Sequence, residues 1–191
     1  MKRNGFGQAE VLSTSELNKL ISCMPSPWSR TLAEVLRRTG SRVAEGSALT
    51  WSCIGPRCVL FPATVVKGKL KTREVPAGQQ LQRILLAWRH EWAAINGREP
   101  GGDDYLFPGR SMNKPVTTRA FQKALERAAN EARLVGVSSH SFRRSALTAA
   151  SAAGIPLRDL MELSGHSSLS SLQRYLEVDE AAKVRAAEAF A

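Results

Sequence analysis

Cysteine is scarce in this chain. Cys23, Cys53 and Cys58 are the only three in 191 residues, an odd number with no CxxC pair and no metal-ligand spacing. They read as reduced structural thiols, and a disulfide framework is excluded. Long apolar runs are also missing. None approaches the roughly 20 residues of a membrane helix, and the start "MKRNGFGQAEV" has no apolar segment of a signal peptide. The expectation is a cytoplasmic protein without a membrane partner. There is no GxxxxGK[ST] phosphate loop and no GxGxxG after a strand. "HEWAA" at 90–94 begins like a zinc helix but lacks the second histidine, so His90 reads as a partly exposed helix residue. Metal-dependent and ATP-driven enzymes therefore find little support. Acidic residues are few as well: 17 Asp and Glu face 27 Lys and Arg, a net charge of +10. Such a surplus sits largely on the surface and creates a field that favours polyanions. Nucleic acid is the first partner to consider, against the alternative of a merely soluble basic protein.

What is present is mostly helical punctuation. "STSELNKLISCM" carries a capping box, with Ser13 as N-cap and Glu16 three residues on. "SPWSRTLAEVLRRTG" reads as a helix stopped by Gly40, with Arg37 and Arg38 in the last turn where cations suit the dipole. "SRVAEGSAL" adds one or two turns. β-branched and apolar residues around "KGKLK" predict a hairpin with strands near 58–66 and 70–75. "QQLQRILLAWRHEWAAIN" returns to helical periodicity and ends before Gly97, and "DDYLFP" is a candidate short strand. Helices are expected over 117–133, 139–153, 156–164, 168–176 and 178–189, punctuated by Gly136, Gly154 and Gly165. No internal repeat or low-complexity tract interrupts this pattern. The fold class is mainly α with a small antiparallel β-sheet (α+β).

Two histidines stand in chemically suggestive positions. In "SHSFRRSAL", His140 and Arg143 are neighbours on one helical face, with Ser139 as the expected N-cap. The free N–H groups of a helix start favour an anion there. In "LSGHSSLSSLQRY", His166 follows a helix ended by Gly165, and Tyr175 lies nine positions on. A tight turn between two short helices brings both toward one pocket. Taken singly, Tyr175 reads as core or interface, His140 as a helix-start residue, Arg42 as a surface arginine and Lys67 as a turn lysine. Their joint order and spacing is what no single-residue reading explains.

"RTGSRVAEGSAL", "SHSFRRSAL" and "LSGHSSLSSLQRYLEV", in that order, resemble the signature boxes of the tyrosine recombinase (phage integrase) family. The resemblance extends from about residue 13 to 178 and implies that family's catalytic-domain fold. It implies 1–12 as a polar lead, 13–178 as the catalytic domain, and 179–191 as a C-terminal helix or tail that docks on a neighbouring subunit or back on its own. By position, Arg42 is similar to the first catalytic arginine, with Glu45 the supporting acid. His140 and Arg143 fit the His-x-x-Arg box, His166 the Gly-His position and Tyr175 the nucleophile. The hairpin "VVKGKLKTREVP" is similar to the one that carries the catalytic lysine. Lys67 is the first choice for that role and Lys69 the reserve. Lys71, Arg73, Arg119 and Lys123, with Lys69, are candidates for DNA-backbone contacts.

The chemistry explains these residue types. In-line attack on a phosphodiester raises charge on the non-bridging oxygens, and arginines remain ionised and donate bidentate bonds to them. A phenol ordinarily holds its proton to a pH of about 10, so the nucleophile needs help from His140 or from the clamped phosphate. The resemblance implies that Lys67 protonates the departing 5′-oxygen and that His166 orients or hydrogen-bonds the phosphate. A 3′-phosphotyrosine exchanges one ester for another, so no cofactor, metal or ATP is implied, and no small-molecule substrate. The implied partners are double-stranded DNA and further copies of the chain, as a tetramer on paired sites. The implied setting is bacterial, phage or mobile-element, cytoplasmic and nucleoid-associated. Members of the family usually carry a separate N-terminal DNA-binding domain, whereas this sequence starts almost at the catalytic domain. Two alternatives stay open: a non-catalytic helix-turn-helix DNA-binding protein, whose second helix would present mostly Ser and Leu to the groove, and a type IB topoisomerase.

Overall fold

The structure is a computed structural model that describes residues 9–66, 71–176, 184, 187 and 188. The element order is α1 (Thr14–Ser22), α2 (Pro27–Thr39), α3 (Val43–Ser47), a 3-10 turn (Trp51–Cys53), β1 (Cys58–Phe61), β2 (Arg73–Pro76), α4 (Gln79–Asn96), α5 (Thr118–Glu131), α6 (Ser139–Ala152), α7 (Leu157–Ser164) and α8 (Leu169–Gln173). Among the described residues helices thus dominate, with one two-stranded antiparallel sheet.

Local chemistry accounts for most of these boundaries. The Ser13 Oγ accepts from the Glu16 N–H while Glu16 reaches back to the Ser13 N–H, closing the capping box of α1. Gly40 ends α2 at φ 60°, a left-handed conformation that glycine adopts without a Cβ penalty. The capping serine of α6 is Ser138, one residue earlier than expected, and its Oγ accepts from the His140 N–H. That shift places His140 and Arg143 fully inside the helix.

The hairpin is shorter than the sequence suggests. Its register pairs Cys58 with Pro76, Val59 with Val75, Leu60 with Glu74 and Phe61 with Arg73. Pro62 has no N–H to continue the ladder, and the Val65 and Val66 N–H groups fold back onto the Pro62 carbonyl as a turn. Lys67 and Lys69 lie outside the described residues. "DDYLFP" forms two isolated bridges, Tyr105 with Thr50 and Pro108 with Pro115, and no strand. The helix expected over 178–189 falls largely outside the described residues.

The core is built on α2, whose buried Leu32, Val35 and Leu36 pack against α4 and α6. Burying each such side chain contributes roughly 1.5–3 kcal/mol. Around them lie Trp92, Phe107, Phe121 and Phe142, all fully buried. A smaller cluster of Leu147, Leu160 and Leu172 joins α6, α7 and α8, with Tyr175 against its edge. Residues 9–12, in the stretch expected as a polar lead, strap across α6. The Glu10 N–H donates to the Gly136 carbonyl, the Leu12 N–H to Ser145 Oγ, and Arg144 Nη1 to the Ala9 carbonyl. Among the described residues no helix is long and apolar enough to cross a membrane.

Candidate active site

Segments from the start of α3, the hairpin, α6 and the stretch from α7 to beyond α8 converge on one cleft of about 1390 Å³, lined among others by Arg42, Lys71, His140, His166, Arg174 and Tyr175. The start of α3 supplies Arg42, which occupies the N-cap position. Its N–H donates to Glu45 Oε2 at 3.1 Å and its Nη1 to Glu45 Oε1 at 2.8 Å. Glu45 is 1% exposed, whereas the Arg42 side chain keeps 24% exposure toward the cleft.

Arg143 comes from the first turns of α6 and is 1% exposed. Its Nη1 donates to the Gly40 carbonyl at 2.6 Å and its Nη2 to the Ser164 carbonyl at 2.8 Å. These two bonds tie together the ends of α2 and α7. Burial first, then repulsion from Arg42, lowers its pKa to about 10, so it remains a cation at neutral pH. Its Nε is buried without a hydrogen-bond partner among the described residues.

His166 follows Gly165, which ends α7 at φ 67°. The ring is 8% exposed and stands 3.1 Å through Nε2 from Arg143 Nη2. Ser164 Oγ lies 2.6 Å from His166 Nδ1 and 2.5 Å from the Leu160 carbonyl. One assignment of protons satisfies all three contacts: Nδ1–H donates to Ser164 Oγ, the hydroxyl donates to Leu160, and Nε2 accepts from Arg143. Burial first, then Arg143, Arg42 and Arg73, lowers the His166 pKa to about 3. The ring is therefore neutral and acts as a buttress for the arginine.

Tyr175 completes the group from the turn after α8, where its N–H donates to the Leu172 carbonyl. The helix was expected to run through it but ends at Gln173. The ring of Tyr175 lies 5.3 Å from the Arg143 guanidinium and 5.0 Å from the His166 ring. Its hydroxyl is 3.5 Å from His140 Nδ1, the outer limit of a hydrogen bond. His140 itself is exposed to the cleft.

Arg42, Glu45, His140, Arg143, His166 and Tyr175 are thus brought together as the sequence motifs implied. Arg73 requires a correction. Expected to reach a DNA phosphate from the surface, it is 7% exposed and held internally, with Nη2 2.9 Å from Glu45 Oε2 and Nη1 2.9 Å from the Leu163 carbonyl. Three guanidinium groups, Arg42, Arg73 and Arg143, thus surround the single Glu45 carboxylate, which leaves a surplus of positive charge beside the cleft. Lys71 is exposed at the cleft wall, while Arg119 and Lys123 are exposed on α5 and do not line it. Ser164 and the cleft-lining Arg144 and Arg174 escaped the sequence reading. Ser164 sits two residues before His166 and Arg144 directly after Arg143, so adjacency to a motif was the available signal. Among the described residues no group of three or more His, Cys, Asp or Glu is placed to hold a metal ion.

The site thus defined is a tyrosine whose ring packs against a buried arginine and a histidine and whose hydroxyl reaches a second histidine, in a cleft that Arg42 also lines, on a mainly helical scaffold. Residues 10–182 match the Phage integrase family, and the chain belongs to it. Tyrosine recombinase XerC of Pediococcus pentosaceus is 35% identical over 150 residues, covering 77% of this chain and 48% of the relative. The XerC of Bifidobacterium longum is 33% identical over 169 residues, covering 83% and 46%. The chain spans about half the length of these curated relatives. In fold it is similar to XerA recombinase, with a TM-score of 0.75 at 19% identity, covering 96% of this chain and 64% of the other. It is also similar to XerH site-specific recombinase bound to its difH substrate, with a TM-score of 0.73 at 24% identity, covering 95% and 54%.

Proposed function

We propose that this chain is the catalytic domain of a site-specific DNA recombinase or integrase that cuts and rejoins double-stranded DNA through a 3′-phosphotyrosine. The observation that carries the reading is the position of Tyr175. Its ring packs 5.3 Å from a buried guanidinium, and its hydroxyl opens toward His140 in a cationic cleft.

In the proposed reaction a scissile phosphate enters between Arg42 and Arg143, which donate to its non-bridging oxygens and stabilise the charge that builds there. Tyr175 Oη attacks phosphorus in line, and its proton passes to His140 or to the phosphate. The bond to the 5′-oxygen breaks, and Lys67, with Lys69 in reserve, supplies the proton that this oxygen takes. His166, neutral and pinned by Ser164, keeps Arg143 aimed. A hydroxyl from a second strand reverses the sequence, expels the phenolate and restores a phosphodiester, so bonds broken and bonds formed balance without an energy source. Lys71, Arg119 and Lys123 are offered as backbone contacts, and the tail over 179–191 as the means of tetrameric assembly on paired sites. The working location is the bacterial cytoplasm, at the nucleoid.

Trapping the intermediate tests this reading. A pool of nicked suicide duplexes with randomised central sequence needs no knowledge of the target site. The wild-type chain is expected to yield a covalent protein–DNA adduct on a denaturing gel, and Tyr175→Phe none. An adduct that persists in the mutant overturns the assignment of Tyr175. Retention of DNA with no adduct from the wild type supports the helix-turn-helix alternative, and relaxation of supercoils without strand exchange supports a topoisomerase.

A further inference from the structure

We infer that Arg73 is a positioning residue that clamps the segments carrying Arg42 and His166 into one phosphate-binding frame. Although its 7% exposed edge lines the cleft, both of its hydrogen-bonding contacts are internal, and it acts through Glu45 and the Leu163 carbonyl. The inference rests on the phosphoryl-transfer reading above.

Arg73 opens β2 and points inward with Val75, following the alternation of a strand whose other face is exposed. Burying a guanidinium is costly unless its donors are satisfied; here Nη1 and Nη2 are satisfied by two distant pieces of chain, while Nε is buried without a hydrogen-bond partner among the described residues. Nη2 donates to Glu45 Oε2, the oxygen that also receives the Arg42 N–H, while Glu45 Oε1 holds Arg42 Nη1. Nη1 donates to Leu163, three residues before His166. The guanidinium carbon lies 4.5 Å from the ring centroid of Phe61, its partner across the hairpin, which fixes the plane of the fork. Gly165 rests directly on it, since a Cβ at that position would come 3.4 Å from Arg73 Nη1 and 3.5 Å from its Cδ. One side chain therefore joins the hairpin, the start of α3 and the turn that presents His166.

Without Arg73, the Glu45 carboxylate, 1% exposed, would keep Arg42 as its one direct ion-pair partner among the described residues and would draw that guanidinium back from the cleft. The Leu163 carbonyl would lose the side-chain donor it has among the described residues, and the turn before His166 would relax. Lysine cannot substitute, because a single ammonium cannot reproduce a planar fork aimed at two acceptors in different directions. Charge and fork are thereby separable by mutation.

The full chain carrying Arg73→Lys or Arg73→Met is compared with wild type at a temperature well below either variant's melting point. On the randomised nicked-duplex pool both variants are expected to form adduct about 100-fold more slowly, the scale of a misplaced clamp, with DNA retention on filters unchanged. The defect should persist when the scissile 5′-oxygen is replaced by sulfur, a leaving group that needs no proton. Adduct formation by Arg73→Lys at the wild-type rate would overturn the inference, as would restoration by the sulfur substrate, which would assign Arg73 to the leaving-group acid. Inorganic phosphate titrated against the His166 and His140 ring NMR signals gives a readout independent of cleavage. Arg73→Lys, with charge kept, should need about 10-fold more phosphate for the same response, the scale of losing one charge-assisted hydrogen bond. An equal response in the two proteins would overturn the inference. Failure of wild type to form any adduct would instead sink the proposed function and leave the phosphate titration to judge Arg73.

Discussion

Acidification should weaken this fold through a single buried ring. A histidine in an unfolded chain titrates near a pH of about 6.5, whereas burial and then the charges of Arg143, Arg42 and Arg73 lower His166 to about 3. Above 6.5 the ring is neutral in both states and its titration does not distinguish them. Below 6.5 the unfolded chain takes up a proton that the folded chain refuses, so stability falls as pH falls, and the loss continues until about 3. Each pH unit in that window is worth about 1.4 kcal/mol, so pH 5.0 costs ~2 kcal/mol relative to pH 7.5. The groups facing the ring are Arg143 from α6, Arg42 from the start of α3, Arg73 from β2 and Tyr175 beyond α8. None is a carboxylate in direct contact that would hold a proton on the ring. The assay is urea unfolding at several pH values for wild type and His166→Gln, whose amide keeps polar atoms in place and does not titrate. Carboxylates and the other histidines titrate in both proteins and cancel in the difference. The stability of wild type minus variant should shrink by ~2 kcal/mol between pH 7.5 and 5.0. Parallel profiles, or an NMR titration of His166 centred near its ordinary value, would refute the reasoning.

Two further outcomes are expected. Gly165→Ala places a Cβ at φ 67° and against the Arg73 guanidinium, so thermal unfolding should report a loss of about 1–2 kcal/mol, with adduct formation slowed because His166 shifts with its turn. Deleting residues 179–191 should leave the monomer folded, as judged by its melting temperature, while abolishing multi-subunit complexes on DNA in a native gel. Unchanged complexes would mean that the tail packs on its own domain.

The parts of this fold that were legible in the sequence are those fixed by neighbours in the chain. The α1 capping box needs only Ser13 and Glu16, and the end of α2 needs only Gly40. The hairpin was drawn too long because β-propensity in "FPATVV" outweighed the missing N–H of Pro62. The cap of α6 was misplaced by one residue because Ser138 and Ser139 are chemically equal candidates, and only the fold selects between them. The convergence of Arg42, Arg143 and Tyr175 followed from motif order, since no local property of any one residue announces it. Arg73 was misread because it stands in a run of basic residues that looks solvated. The clue to its burial was its spacing of two from Val75, which puts both on the inner face of β2.

Arg143 and Arg144 are consecutive, yet one reaches inward to the Gly40 and Ser164 carbonyls and the other out to the strap at Ala9. Residues 9 and 12 are therefore anchored to α6 at Arg144 and Ser145, directly beside its most deeply buried cation. A substitution that displaces residues 9–12 would thus act directly on the helix that carries His140 and Arg143.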